Sequence, residues 1–250
     1  MKTATDYMTG PGPAKFSTIP APVIRKATMA DVRQTYKMPS LTELKTSHMT
    51  APQKAGYERV LTNVRKWRQD ARANRGLSFL LSSKQVGVGK THIAKAVNSS
   101  FCRVIGDMEY VDDVPKFRVE YRSRLYTARH LIHLLGGDEQ QTLWDIVPKH
   151  VQCLVIDDLG REGYIDYVKA DQQTQEKQSR YFHLINHLYE TRRNGQYPVN
   201  IFITTNLTTD EVQDLLGDAN WSRLLEMCPR GYITEMDGLT DYRRVASGRA

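Results

Sequence analysis

The chain is poor in cysteine, and its cysteines stand far apart. Cys102, Cys153 and Cys228 are the only three, and none sits in Cys-x-x-Cys spacing. A disulfide framework or a zinc site is therefore not expected, whereas buried free thiols in a reducing cytoplasm are. No apolar run approaches the roughly 20 residues of a membrane span. The stretch Met1 to Gly12 is polar and broken by glycine and proline, without the apolar core of a secretory signal. The expectation is a cytoplasmic protein with no membrane partner. No internal repeat is visible. His183 and His187 have the i, i+4 spacing that can hold a metal, but no Glu follows His183 and no third ligand is evident. They read as a helix face, as do His130 and His133.

What is present is ordinary in bulk and unusual in charge. Hydrophobic residues make up 40% and charged residues 25% of 250 positions, enough for one large core or a domain plus a tail. The net charge is +7 and the isoelectric point about 9.2, which favours a polyanionic partner such as nucleic acid. The basic residues are dispersed, from Arg65, Lys66 and Arg68 to Arg243 and Arg244.

Residues 83–91 read Ser-Lys-Gln-Val-Gly-Val-Gly-Lys-Thr, between an apolar run (Leu77 to Leu81) and a helix-like stretch (Thr91 to Val97). Strand, glycine turn and helix in that order make a phosphate-binding loop. Gly87 and Gly89 let the backbone approach a polyphosphate, with the loop N–H groups and the helix N-terminus facing the anion. Lys90 is placed for the β- and γ-phosphates and the Thr91 hydroxyl for Mg²⁺. The loop departs from its usual form at Lys84, where a glycine ordinarily opens the turn.

Residues 1–50 carry Pro11, Pro13, Pro20, Pro22 and Pro39 and read as an extended or disordered segment, with one short helix over Met29–Tyr36 capped by Thr28. The globular domain is expected over 51–250. Its first helix shows Tyr57, Val60, Leu61, Val64, Trp67 and Ala71 at helical spacing and ends at Asn74-Arg75-Gly76. Residues 101–126 read as a hairpin insertion around Asp112-Asp113. Its Tyr110, Tyr121 and Tyr126 among Lys116, Arg118, Arg122 and Arg124 suit single-stranded nucleic acid, although a plain hairpin with a solvated basic face is the slightly favoured reading. A helix (Ala128 to Leu135), a strand (Val151 to Asp157), a long helix (Gln172 to Asn194), a strand (Val199 to Thr204) and a last strand (Tyr232 to Glu235) follow. Strands alternating with helices imply an α/β fold with a parallel sheet flanked by helices.

Leu154-Val155-Ile156-Asp157-Asp158 is an apolar strand ending in two carboxylates, at the sheet edge that also receives the phosphate loop. Asp157 is a candidate Mg²⁺ ligand and Asp158 a candidate for orienting or deprotonating the attacking water. Asn206, after the next apolar strand, can bond the γ-phosphate or that water, or simply serve the turn.

Five motifs fall in order: Gly-Val-Gly-Lys-Thr-His, Val-Ile-Asp-Asp-Leu-Gly-Arg-Glu, Thr-Thr-Asn-Leu, Leu-Gly-Asp with Ser-Arg-Leu-Leu-Glu-Met-Cys, and Asp-Tyr-Arg-Arg. Over about residues 52–244 the chain resembles the DnaC/IstB-like branch of the AAA+ ATPases, which includes helicase loaders and transposition helper ATPases. The resemblance implies an AAA+ P-loop NTPase that binds and hydrolyses ATP with Mg²⁺. It implies self-association into a ring or helical oligomer that acts on single-stranded DNA with a replicative helicase or, alternatively, a transposase. It matches Gly87, Val88, Gly89, Lys90, Thr91 and His92 to the Walker A nucleotide site. Asp157 and Asp158 match Walker B and Asn206 the first sensor. Arg223 matches the arginine finger that reaches a neighbouring subunit, and Arg243 the second sensor. The family often has a further Arg where this chain has Ala219, and that position and Lys84 also permit a nucleotide-gated adaptor that hydrolyses poorly.

Overall fold

The computed structural model describes residues 28–42, 46, 49–73, 76–105, 109–111, 114–116, 118–135, 146–160, 170–195, 198–229, 232–236 and 238–239. Helix α1 (Met29–Tyr36) has the bounds its sequence suggests, because Thr28 and Asp31 form a reciprocal capping box. Val32 and Leu41 are buried, so packing against the domain begins before residue 50. Residues 1–27, part of the segment expected to be extended, lie outside the described residues.

Helix α2 (Ala51–Ala73) buries the stripe Tyr57, Val60, Leu61, Val64, Trp67 and Ala71. Strand β1 (Ser78–Ser82) leads through the loop to α3 (Lys90–Ser100). The chain then runs out through β2 (Cys102–Val104) and β3 (Glu109–Val111) and returns through β4 (Val114–Lys116) and β5 (Val119–Tyr121). Two antiparallel ladders, β2 with β5 and β3 with β4, make this ribbon.

The ribbon ends at Tyr121. Ser123–Thr127, expected within the hairpin, is instead strand β6 of the central sheet. Leu125 and Tyr126 pair in parallel with Val155 and Ile156 of β7 (Cys153–Leu159). A strand destined for a hairpin and one destined for a parallel sheet look alike locally, and here the buried β7 takes β6 as its neighbour. Helix α4 (Ala128–Leu135), α5 (Ala170–Arg193), β8 (Asn200–Thr205), α6 (Thr209–Leu216), α7 (Asp218–Met227) and β9 (Ile233–Glu235) complete the domain.

The sheet order is β6-β7-β8-β1-β9, and every pairing is parallel. Its strands alternate between two cores. Phe79, Leu81, Val155 and Phe202 face α2 and α3, while Leu80, Leu154, Ile156, Ile201 and Ile203 face α4 to α7. Trp67 fills the first core, with ring centroids 5.8 Å from Phe79 and 5.3 Å from Phe202. Asn200 is fully buried but satisfied: its Oδ1 accepts from Leu77 N and its Nδ2 donates to the Ala71 and Gln152 carbonyls. This ties the end of α2 to the start of β1 and so sets where the loop after β1 emerges.

Candidate functional site

Because the strands are parallel, the ends of β1, β7 and β8 open at one edge, and β8 lies between the other two. A cavity of about 380 Å³ occupies that edge. It is lined by Gly87, Gly89, Lys90, Thr91 and His92 from the loop and α3, and by Asp158 and Asn206 from the ends of β7 and β8. Val86 and Lys95 complete the wall.

The glycines serve the loop in the way their spacing suggests. Gly87 and Gly89 have φ of 79° and 97°, a region costly for any residue with a Cβ. A Cβ on Gly89 would also sit 3.4 Å from the Tyr57 hydroxyl oxygen, so α2 backs the loop. Lys84 is not among the positive-φ residues, so the turn opens without strain there. Its ammonium lies 3.8 Å from the Glu211 carboxylate on α6. Val88 turns inward and is buried in the core behind the loop.

Lys90 is 7% exposed, and its ammonium donates to the Ser83 and Gln85 carbonyls at 3.0 and 2.9 Å. It therefore sits inside the loop's curve, with those carbonyls fixing the cation. The His92 imidazole is held below its ordinary pKa, first by partial burial and then by the Lys95 charge. Lys95 was not singled out from the sequence. Its place one turn after Thr91 on the exposed face of α3 is the signal that finds it.

The two carboxylates divide. Asp157 is 5% exposed and lies outside the cavity wall, and its Oδ1 accepts a 2.5 Å hydrogen bond from the Thr204 hydroxyl. Asp158 lines the cavity with φ of 66°, where the β7–β8 register shifts between Ile156 and Leu159. Such a bulge redirects one side chain out of strict alternation, and Asp tolerates the left-handed conformation better than most residues. Thr204 joins the pair: its Oγ1 accepts from the Asp158 backbone N at 3.0 Å while donating to Asp157. Thr204 opens the Thr-Thr-Asn-Leu motif, but the sequence assigns it no role there, since its partner Asp158 lies 46 residues away along the chain. Asn206 Nδ2 donates to Asp158 Oδ1 at 2.8 Å, and Asn206 Oδ1 is buried without a partner among the described residues.

Arg223, on α7, is not part of this cavity's wall. Its guanidinium lies over the Phe182 and Tyr189 rings of α5, at 5.0 and 6.0 Å from the centroids. Arg243 lies outside the described residues.

A glycine loop, a buried lysine and a carboxylate–amide pair thus meet at the open edge of a parallel sheet, and the chain has the AAA+ P-loop NTPase fold. Among solved structures it is similar to the DnaC helicase loader, at 17% identity and a TM-score of 0.50 over 81% of this chain and 98% of that one. It is also similar to DnaI, at 16% identity and a TM-score of 0.46 over 84% of this chain and 93% of that one. AMPPCP-bound DnaA from Aquifex aeolicus matches at 17% identity and a TM-score of 0.47, over 83% of this chain and 52% of that one. No family model matches the chain, and no curated protein does. Among the described residues, no helix is long and apolar enough to cross a membrane.

Proposed function

We propose that the chain binds and hydrolyses ATP in this cavity and serves DNA replication as a helicase loader acting on single-stranded DNA. The observation that carries the nucleotide reading is the convergence of Gly87, Gly89, Lys90, Thr91, Asp158 and Asn206 on one cavity of about 380 Å³. Residues more than 60 positions apart meet there only through the strand order. The loader reading draws on the order of the five motifs and on the positive charge of the chain.

The residues present fit a nucleotide with magnesium. The glycine loop leaves room for phosphates, Lys90 supplies the cation, and the Thr91 hydroxyl lies at the wall. Asp157 is buried one layer below and would meet the metal through water. Bound there, the metal would neutralise charge building on the β- and γ-phosphates. Lys90 would leave its two carbonyl partners for phosphate oxygens. Asp158 would orient the attacking water and receive its proton, held in place by the Asn206 amide. Arg223 would act on the neighbouring subunit of a ring or helical oligomer, and Arg243 within its own.

A nucleotide-gated adaptor is the second reading. Asp158 is a short carboxylate with one oxygen already engaged by Asn206, which favours slow hydrolysis. ATP turnover, with and without single-stranded DNA, separates the two. Turnover above that of Lys90→Ala supports the enzyme, whereas nucleotide binding without such turnover supports the adaptor. Failure of the wild-type protein to bind ATP overturns both. Capture with a replicative helicase supports the loader role, and capture with a transposase would replace it with a transposition helper.

A further inference from the structure

The end of α3 opposite the cavity gathers arginines that the nucleotide site does not use. Arg68 and Arg72, one turn apart on α2, both donate through Nη2 to the Ser100 carbonyl, at 3.1 and 2.9 Å. Arg33 lies on α1, which packs against β2 beside Cys102, and its charge acts on Arg68 and on the Cys102 thiol. Among the described residues no carboxylate pairs with any of the three. The Nε atoms of Arg33 and Arg68 are buried without an acceptor. Burial and then the charges of Arg72 and Arg33 push the Arg68 guanidinium down to about 10.

Capping a helix C-terminus asks for one cation, and a single carbonyl oxygen does not compensate three. Three guanidiniums held together at mutual cost, with buried donors unused, match a site whose anion comes from outside. The neighbouring side chains define which anion. Tyr121 is the register partner of Cys102 across β2 and β5, which places its ring on the face Arg33 approaches, and it is 51% exposed. Arg103 and its register partner Glu120 lie on the ribbon's other face, where Glu120 gives its carboxylate to Arg122 at 2.7 Å. Guanidiniums for phosphates beside an open aromatic ring for a base are the two parts of a single-strand platform.

We propose that Arg33, Arg68, Arg72 and Tyr121 form a binding site for single-stranded nucleic acid. It rests on the reading of the chain as a nucleic-acid-directed ATPase and adds where the strand sits. Helix α3 connects the two sites directly: it starts at Lys90 in the nucleotide cavity and ends at Ser100, roughly 16 Å away at 1.5 Å per residue.

The test is fluorescence anisotropy of labelled oligothymidylate with the full chain over a range of salt, beside binding of a fluorescent ATP analogue. Arg33→Gln and Tyr121→Ala leave the Ser100 contacts intact. Arg33→Gln is expected to weaken oligonucleotide binding at least threefold and to reduce the log–log salt slope by about 0.7, one phosphate contact. Tyr121→Ala is expected to weaken it about fivefold or more. Arg33→Lys keeps the salt slope, and ATP-analogue binding is unchanged throughout. Wild-type affinity and slope in both variants would overturn the site while leaving the nucleic-acid reading intact. No oligonucleotide binding by the wild-type chain overturns both. Loss of binding to an acidic partner protein with DNA binding unchanged assigns the cluster to that protein and overturns the strand. Equal displacement by inorganic polyphosphate, with Tyr121→Ala neutral, reduces the site to a simple anion pocket.

Discussion

The Lys84 ammonium lies 3.8 Å from the Glu211 carboxylate, at the first turn of the helix that follows β8. Glu211 is held below its ordinary pKa, first by the Thr208 backbone and hydroxyl hydrogen bonds and to a lesser degree by Lys84. The lysine that replaces a glycine therefore ties the loop to the cap of α6. Both groups are well exposed, at 67% and 48%, so solvent screens the pair. Lys84→Gly is expected to change ATP affinity by less than about threefold and to cost about 0.5–1 kcal/mol of stability from added backbone freedom. Lys90→Ala, which removes the cation inside the loop, is expected to lower affinity more than about tenfold. Titration with a fluorescent ATP analogue compares the two.

Gly160 and Leu207 fix the spacing of the strand ends that carry Asp158 and Asn206. Gly160 has φ of 90°, and a Cβ there would lie 2.5 Å from Leu207 Cδ1 and 2.8 Å from its Cγ. Gly195 also has positive φ, 66°, but nothing lies within 4 Å of its Cβ position. Gly195→Ala should thus cost only the left-handed penalty, about 1–2 kcal/mol, and Gly160→Ala that penalty plus a further ~1–3 kcal/mol of overpacking. Urea unfolding of the two variants measures the difference. Equal costs would show that Leu207 yields freely.

The legible parts of the sequence were those with local causes. The bounds of α1 follow from one capping box, and the loop from two glycines between an apolar strand and a helix. Strand β7 runs two residues past Asp157, because its bulge is set by pairing with Thr205 across the sheet. Thr204 as the link between two aspartates, and Ser123–Thr127 as a sheet strand, depend on the same long-range pairing. The cluster at Ser100 draws Arg33, Arg68 and Arg72 from two helices, and neither stretch announces the other.

Arg223 is stacked on Phe182 rather than directed at its own chain's cavity. Among the described residues the guanidinium is held by these two rings and not by an ion pair. If it serves a neighbouring subunit, Arg223→Ala should lower kcat by about a thousandfold or more while leaving ATP affinity within about twofold. Mixing Arg223→Ala with Lys90→Ala chains should restore part of the turnover, since mixed interfaces pair an intact loop with an intact arginine. Full activity of Arg223→Ala alone would remove the residue from the reaction.

Tyr57 supplies a pH test of how firmly α2 backs the phosphate loop. Burial, with a smaller contribution from Glu58, raises its phenol from the usual 10 to about 12. The folded state thus favours the neutral phenol, because the ionised form would lose its water against the core. Stability from this preference is fully present below pH 10, the unfolded value, and is lost as pH rises toward the folded value of about 12. Within that window the loss should approach ~1.4 kcal/mol per pH unit. Lysines titrate in the same range, so the informative quantity is the difference from Tyr57→Phe, which keeps the ring and removes the ionisation. Unfolding free energies should fall more steeply with pH for the wild type than for Tyr57→Phe. At neutral pH, ATP affinity should be nearly the same in both, because the hydroxyl supports Gly89 from behind and does not face the cavity. Parallel pH curves would mean that the phenol ionises without disturbing the fold, and that the contact between α2 and the loop is looser than its burial implies.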